Sequence, residues 1–177
     1  MRAQKLKLQV ITLSVIIFAL AIFRLLPHLP NVSPVAAMAL FGGAYFADKK
    51  LAFIVPFAAL LLSDLLLGLH NTMIFVYAGF ALTVVIGLMI KNRVSVTNTA
   101  FAVLASSVLF FLLTNFGAWM TSPLYAKTAE GLMQAYAAGI PFFQNSLIGN
   151  LVFAAIIFGG YQLLQKNVAA LKEPILK

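Results

Sequence analysis

Six apolar runs, each closed by polar or basic residues, divide this 177-residue chain. That segmentation leaves few folds open, because a helix needs roughly 20 apolar residues to cross the hydrocarbon core of a bilayer. The runs are about Leu8–Leu26, Val35–Ala47, Leu51–Leu69, Thr72–Ile90, Thr99–Met120 and Phe142–Gln165. In lipid every backbone N–H and C=O must find its partner within the segment, so each run reads as a helix. The second is short, about 20 Å at 1.5 Å per residue. Before it, Pro27, Pro30 and Pro34 break any helix, since proline removes a donor and clashes with the preceding turn. Ser33 is expected as its N-cap and Pro34 as its first helical residue.

Composition excludes the soluble alternative. The chain is 63% hydrophobic and 9% charged, against about 45–50% and about 25% in ordinary soluble domains. A soluble fold of this size would keep a large apolar surface in water. The expectation is an all-α membrane protein, residues 1–177 forming a single transmembrane domain. No internal repeat, nucleotide loop, zincin motif or paired-carboxylate site is visible. There is no cysteine, hence no disulfide framework or thiolate metal site. No metal or cofactor is expected.

The net charge is +8. Lys and Arg stand in short clusters between apolar runs, which is the pattern of membrane-flanking anchors; no nucleic-acid face is indicated. With the N-terminus inside, Arg2, Lys5, Lys7, Lys49, Lys50, Lys91, Arg93, Lys166, Lys172 and Lys177 are cytoplasmic, leaving only Arg24 and Lys127 outside. Both termini are therefore expected in the cytoplasm, with six crossings of the membrane. A rival reading takes the basic start and Ala19-Leu20-Ala21 as a cleaved signal peptide. Cleavage would leave five helices and spoil the even alternation of charge.

Between the fifth and sixth runs, Thr121–Pro141 carries Tyr125, Ala129, Leu132, Tyr136 and Ile140 at helical spacing, opposite Lys127, Glu130 and Gln134. This predicts a short amphipathic helix lying on the membrane or capping the bundle as a lid, with Gly131 as its bend.

The informative residues of so apolar a chain are its costly ones. Asp64 falls inside the third run, about 8 Å below the outer boundary, and intramembrane carboxylates need a partner. Arg24 ends the first run on that side, either snorkelling to lipid phosphate or serving as a cation for a ligand or for Asp64. His28, Asn31, His70 and Asn71 are loop residues at the same face. Asn115 and Trp119 lie one turn apart, readable as interhelical glue and an interfacial anchor. Gln144, Asn145, Gly149 and Asn150 open the sixth run. Polar groups thus gather in the outer half. The face Ala39, Gly43, Ala47 lets another helix approach closely, within the bundle by preference.

Six short helices, an outward polar pocket and a basic inner side resemble the S components, the substrate-binding subunits, of energy-coupling-factor vitamin transporters. The stretch Arg24 to Asn150 looks like an uncharacterised bacterial six-helix membrane family related to them. The residues carrying this are Pro30-Asn31-Val32-Ser33-Pro34, Ala39-Leu40-Phe41-Gly42-Gly43, Ser63-Asp64 with Gly68, Phe110-Phe111 with Thr114-Asn115-Phe116 and Trp119, and Gly131 with Pro141-Phe142-Phe143 and Asn145. The resemblance implies an S-component-like bundle that binds a vitamin or similar micronutrient, cobalamin-like molecules included, under the outer loops. Such subunits couple to a shared ATPase module or act alone. Coupling members carry an Ala-xxx-Ala face in the first helix, where this chain has only Ala19 and Ala21. Some solitary cobalamin-specific relatives place a cysteine on cobalt, and this chain has none.

The expectation is a small-molecule uptake protein, not an enzyme, whose ligand meets Arg24, His28, Asn31, Asp64, His70, Asn115, Trp119, Tyr125 and Asn145. One rival is a membrane-embedded enzyme acting on a lipid or isoprenoid, with Asp64 and a histidine as acid and base. Only four acidic residues exist to serve it. The other is a structural subunit of a membrane complex.

Overall fold

The computed structural model describes residues 2–27 and 29–171. His28 and the tail lysines Lys172 and Lys177 lie outside the described residues. Six α-helices follow one another: α1 Arg2–Phe23, α2 Val35–Tyr45, α3 Lys49–Leu67, α4 Met73–Ile90, α5 Val96–Thr121 and α6 Ala129–Asn167. A 3-10 turn, Ala169–Leu171, closes the chain, and no strand occurs among the described residues. Five of the helices, all but α2, are long and apolar enough to cross a membrane. Their outward faces carry Ile22, Leu66, Ile74, Met89, Phe101 and Ile156, all well exposed. Apolar side chains on the outside and inside alike are the arrangement of a multi-pass membrane protein.

The short second run becomes the centre of the bundle. α2 has 11 residues, and all of Val35 to Ala44 are buried. It packs against each of the other five helices. A helix apolar all round has no face to offer water and is buried on every side. At about 16 Å it is about half the thickness of the hydrocarbon core. Its closest neighbour is α4. A Cβ on Gly43 would meet the Val84 carbonyl and sit 2.9 Å from the Gly87 Cα, and one on Gly87 would meet the Leu40 carbonyl. The small face therefore serves contact inside the bundle.

Basic residues gather at one end. Lys91 donates to the Ala47 carbonyl at 2.8 Å. Desolvation and the nearby Lys49 ammonium lower its pKa from the ordinary lysine value, with Asp48 opposing them. At the opposite end lie the turn after α1, the α3–α4 turn and the α5–α6 connection.

Two local expectations are corrected. The amphipathic segment is no separate helix: α6 runs unbroken for 39 residues, with Pro141 in its interior. Proline's fixed φ suits a helix and its missing N–H costs one bond, whereas ending the helix there would strand several backbone groups. A true helix start lies upstream, where the Thr128 hydroxyl accepts from Gly131 N at 3.2 Å and Glu130 meets the positive helix end. Gly131 is no hinge, since it sits tight against the Ala126 carbonyl. The first turns of α6 stand beside α5, with Tyr136 Oη donating to the Leu112 carbonyl at 3.0 Å and its ring 5.7 Å from that of Phe111. The segment is a wall, not a lid.

The second correction concerns α2. Its N-cap is Pro34, with no side-chain cap, and the buried Ser33 Oγ has no hydrogen-bond partner among the described residues.

Candidate functional site

The end of the bundle opposite Lys49, Lys50 and Lys91 is organised by one buried ion pair. Arg24, just past α1, donates from Nη1 to Asp64 Oδ1 on α3 at 2.5 Å and to Ser63 Oγ at 2.6 Å. Tyr77, from the first turns of α4, donates to the other oxygen, Asp64 Oδ2, at 2.9 Å. The carboxylate is 1% exposed and the Arg24 side chain 16%. A buried carboxylate held by a guanidinium and a phenol is satisfied on both oxygens. The trio ties three helices together where they meet the polar boundary.

The loop after α1 is strapped down next. Asn31 takes a φ of +63°, a left-handed conformation that asparagine tolerates better than most residues. Val32 N donates to the Leu29 carbonyl at 3.0 Å, closing the turn. From α6, Asn145 Nδ2 donates to the Pro30 carbonyl at 3.3 Å. Gly149 leaves room for Val32, whose Cα lies 3.2 Å from where a Cβ would stand.

Two adjoining clefts open under this loop. The smaller, about 260 Å³, lies between α5 and α6, with Phe110, Phe111, Phe142 and Phe143 on its walls and Thr114, Asn115 and Ser107 among its polar groups. The larger, about 340 Å³, reaches from Arg24 past Ser33, Val35 and Ala36 at the start of α2 to His70. Asn31, Phe110, Ser146 and Asn150 line both. Asn150 is 6% exposed and donates from Nδ2 to Ser107 Oγ at 3.0 Å, so part of its amide is fixed by α5.

The residues expected from sequence divide. Arg24, Asn31, His70 and Asn115 line one cleft or both. Asn115 Nδ2 donates to the Phe111 carbonyl at 2.8 Å, and His70 Nδ1 lies 2.8 Å from Thr72 Oγ1. Asp64 lines neither cleft, because its oxygens are turned to Arg24 and Tyr77. Trp119 lines neither: its Nε1 donates to the Ala126 carbonyl at 2.8 Å, and Lys127 lies 5.8 Å over its ring while donating to its carbonyl. Those contacts fasten the α5–α6 connection. Tyr125 is half-buried in that connection and outside both clefts. Asn145 holds the first loop and lines neither cleft; Ser146 and Asn150, on the inner side of the same helix, do. Among the described residues no three His, Cys, Asp or Glu side chains converge to hold a metal ion.

Residues 4–171 match a family of unknown function, DUF6580. The chain belongs to that family. The match takes in all but the first two residues of α1, the other five helices and both clefts, so the ion pair, the strapped loop and the central helix of this DUF6580 chain all fall within it. No curated protein and no solved structure matches the chain.

Sequence reasoning passed over Ser33, Ser146 and Tyr77 in this DUF6580 chain. Tyr77 had a signal, since a tyrosine at the outer end of one helix can reach a carboxylate near the end of the next. Ser33 had a misleading one, because its position before a helix reads as an ordinary cap.

Proposed function

We propose that the protein is the substrate-binding subunit of a micronutrient uptake system, with an S-component-like bundle of six crossings. Its ligand, a vitamin or similarly sized heterocycle, enters the joined clefts from outside. The observation that supports this most is the pair of joined clefts, which face the end opposite Lys49, Lys50 and Lys91. Aromatic walls with a few convergent polar groups are how a small-molecule site binds and orients its ligand. Arg24, Asn31, His70, Asn115, Ser146 and Asn150 would supply the polar contacts and the four phenylalanines the apolar ones. The membrane would be the bacterial inner membrane, with both termini in the cytoplasm. Energy would come from a shared ATPase module or from a solitary mode of action.

The orientation follows from the basic end lying inside. A single cysteine at Asn71 should react with a membrane-impermeant thiol reagent in intact cells, and one at Asn92 should not. The reverse pattern would place the clefts in the cytoplasm and end the uptake reading.

Occupancy is checked by gentle purification and native mass spectrometry, which should find a small molecule retained by the wild-type chain. Ser146→Phe should abolish retention by filling the corridor shared by both clefts, while the protein stays monodisperse. Retention unchanged in that variant would move the site elsewhere.

A further inference from the structure

We propose that the larger cleft holds an anion subsite, built from the N-terminus of α2, Ser33 and Arg24, which takes a carboxylate or phosphate group of the ligand. This rests on the uptake reading above and narrows its substrate class to aromatic compounds with an acidic end.

Three observations meet at one wall of the cleft. The first is the start of α2. The opening N–H groups of a helix have no partner within it and carry about half a positive charge between them. The starts of α3, α5 and α6 are capped by Asp48, Ser95 and Thr128, whereas α4 starts after Thr72 with no side-chain cap. α2 begins after Pro34 with no side-chain cap, and its first residues, Val35 and Ala36, are buried and line the cleft.

The second is Ser33. Its Oγ is buried and lacks a partner among the described residues, and the residue is among those that line the cleft. A hydroxyl has a proton to give, and an unsatisfied buried one calls for an explanation. A serine beside an open helix start that does not cap it departs from the local rule, and such departures gather at functional sites.

The third is Arg24. Its Nη1 is engaged by Asp64 and Ser63, but a guanidinium has five N–H donors, and its side chain lines the cleft while Asp64 does not. No acidic residue lines either cleft. The wall therefore offers donors: backbone N–H groups, a hydroxyl and a guanidinium. That is the chemistry of oxyanion recognition at a helix start. Asn31, Phe110, Ser146 and Asn150 carry the cleft on into the phenylalanine-walled one, where the aromatic body of the ligand would lie.

The test uses the full chain in phosphatidylcholine nanodiscs and a matched pair of probes, 3-phenylpropanoate and its neutral amide, followed by saturation-transfer NMR. The acid should bind about tenfold tighter than the amide, as expected for charge-assisted hydrogen bonds. Ser33→Ala should shrink that preference with little change in melting temperature. Ser33→Asp would tether a carboxylate at the subsite, so it should raise the melting temperature and abolish binding of 3-phenylpropanoate. Equal binding of acid and amide overturns the proposal. A lower melting temperature for Ser33→Asp also overturns it, because the new carboxylate would then be buried without a donor. Phosphatidylglycerol added to the discs should not displace the acid; displacement would assign the subsite to a lipid headgroup and overturn the small-molecule assignment. A co-purified cargo with no acidic group would sink the subsite and leave the uptake reading standing. Acid preference without cargo uptake by cells would do the opposite.

Discussion

Asp64→Ala is expected to cost the protein about 3–5 kcal/mol, the usual penalty for breaking a buried ion pair from one side. Such a loss would take most of the stability of a marginal domain. The cause is Arg24. With its side chain 16% exposed, it would be left largely desolvated, with Ser63 Oγ as its remaining hydrogen-bond partner among the described residues, and Tyr77 would lose its acceptor. Aggregation in detergent, or a melting temperature lowered by many degrees, is the expected result. The double variant Arg24→Gln, Asp64→Asn should recover most of the loss, because two neutral amides can hydrogen-bond without an unpaired charge. A single Asp64→Ala variant that melts like wild type would show that the pair holds nothing together. Read from sequence, Asp64 was a candidate ligand contact, with Arg24 offered as a cation for it. Its geometry puts the fold first, since both carboxylate oxygens are held by Arg24 and Tyr77.

Gly87→Val should be comparably severe for a different reason. A Cβ there meets the Leu40 carbonyl and the Gly43 Cα at 2.9 Å. Both are backbone atoms, so no rotamer change relieves the clash and α2 and α4 must separate. Overpacking costs about 1–3 kcal/mol where side chains can give way, and more where they cannot. Because α2 touches every other helix, its displacement would also move Ser33, Val35 and Ala36 and deform the larger cleft. Melting temperature and ligand retention should therefore fall together. Gly159→Ala and Gly160→Ala are the controls, since a Cβ at either position meets nothing within 4 Å. Gly87→Val melting no lower than those controls would mean that the α2–α4 crossing is loose.

What could be read along the chain was what lies close together in it. Apolar run length is a sum over neighbouring residues, and lipid leaves the backbone no choice but helix. So all six runs, the charge asymmetry and the tight face at Gly43 were legible. The start of α6 was misplaced because Pro141 looks like a boundary, while Thr128 as the cap is a weaker local signal. The polar end of the bundle was also legible as the place of interest; there Asn115 and His70 line the clefts, while Trp119 and Asn145 hold loops.

That division has a physical cause. Whether an asparagine faces a cleft or straps a loop depends on a helix rotation of one residue, about 100°, as Asn145 and Ser146 show. The decisive contacts join residues far apart, Arg24 to Asp64 and Asn145 to Pro30, and no local pattern encodes them. Hydropathy and charge determined that this chain lives in a membrane as a bundle of helices with one basic and one polar end. Only the tertiary structure decided that the shortest helix is the central one, that the intramembrane carboxylate is satisfied by its own chain, and that an uncapped helix start and an orphan hydroxyl share one cleft, because each of those depends on which distant groups are left to satisfy one another once water is gone.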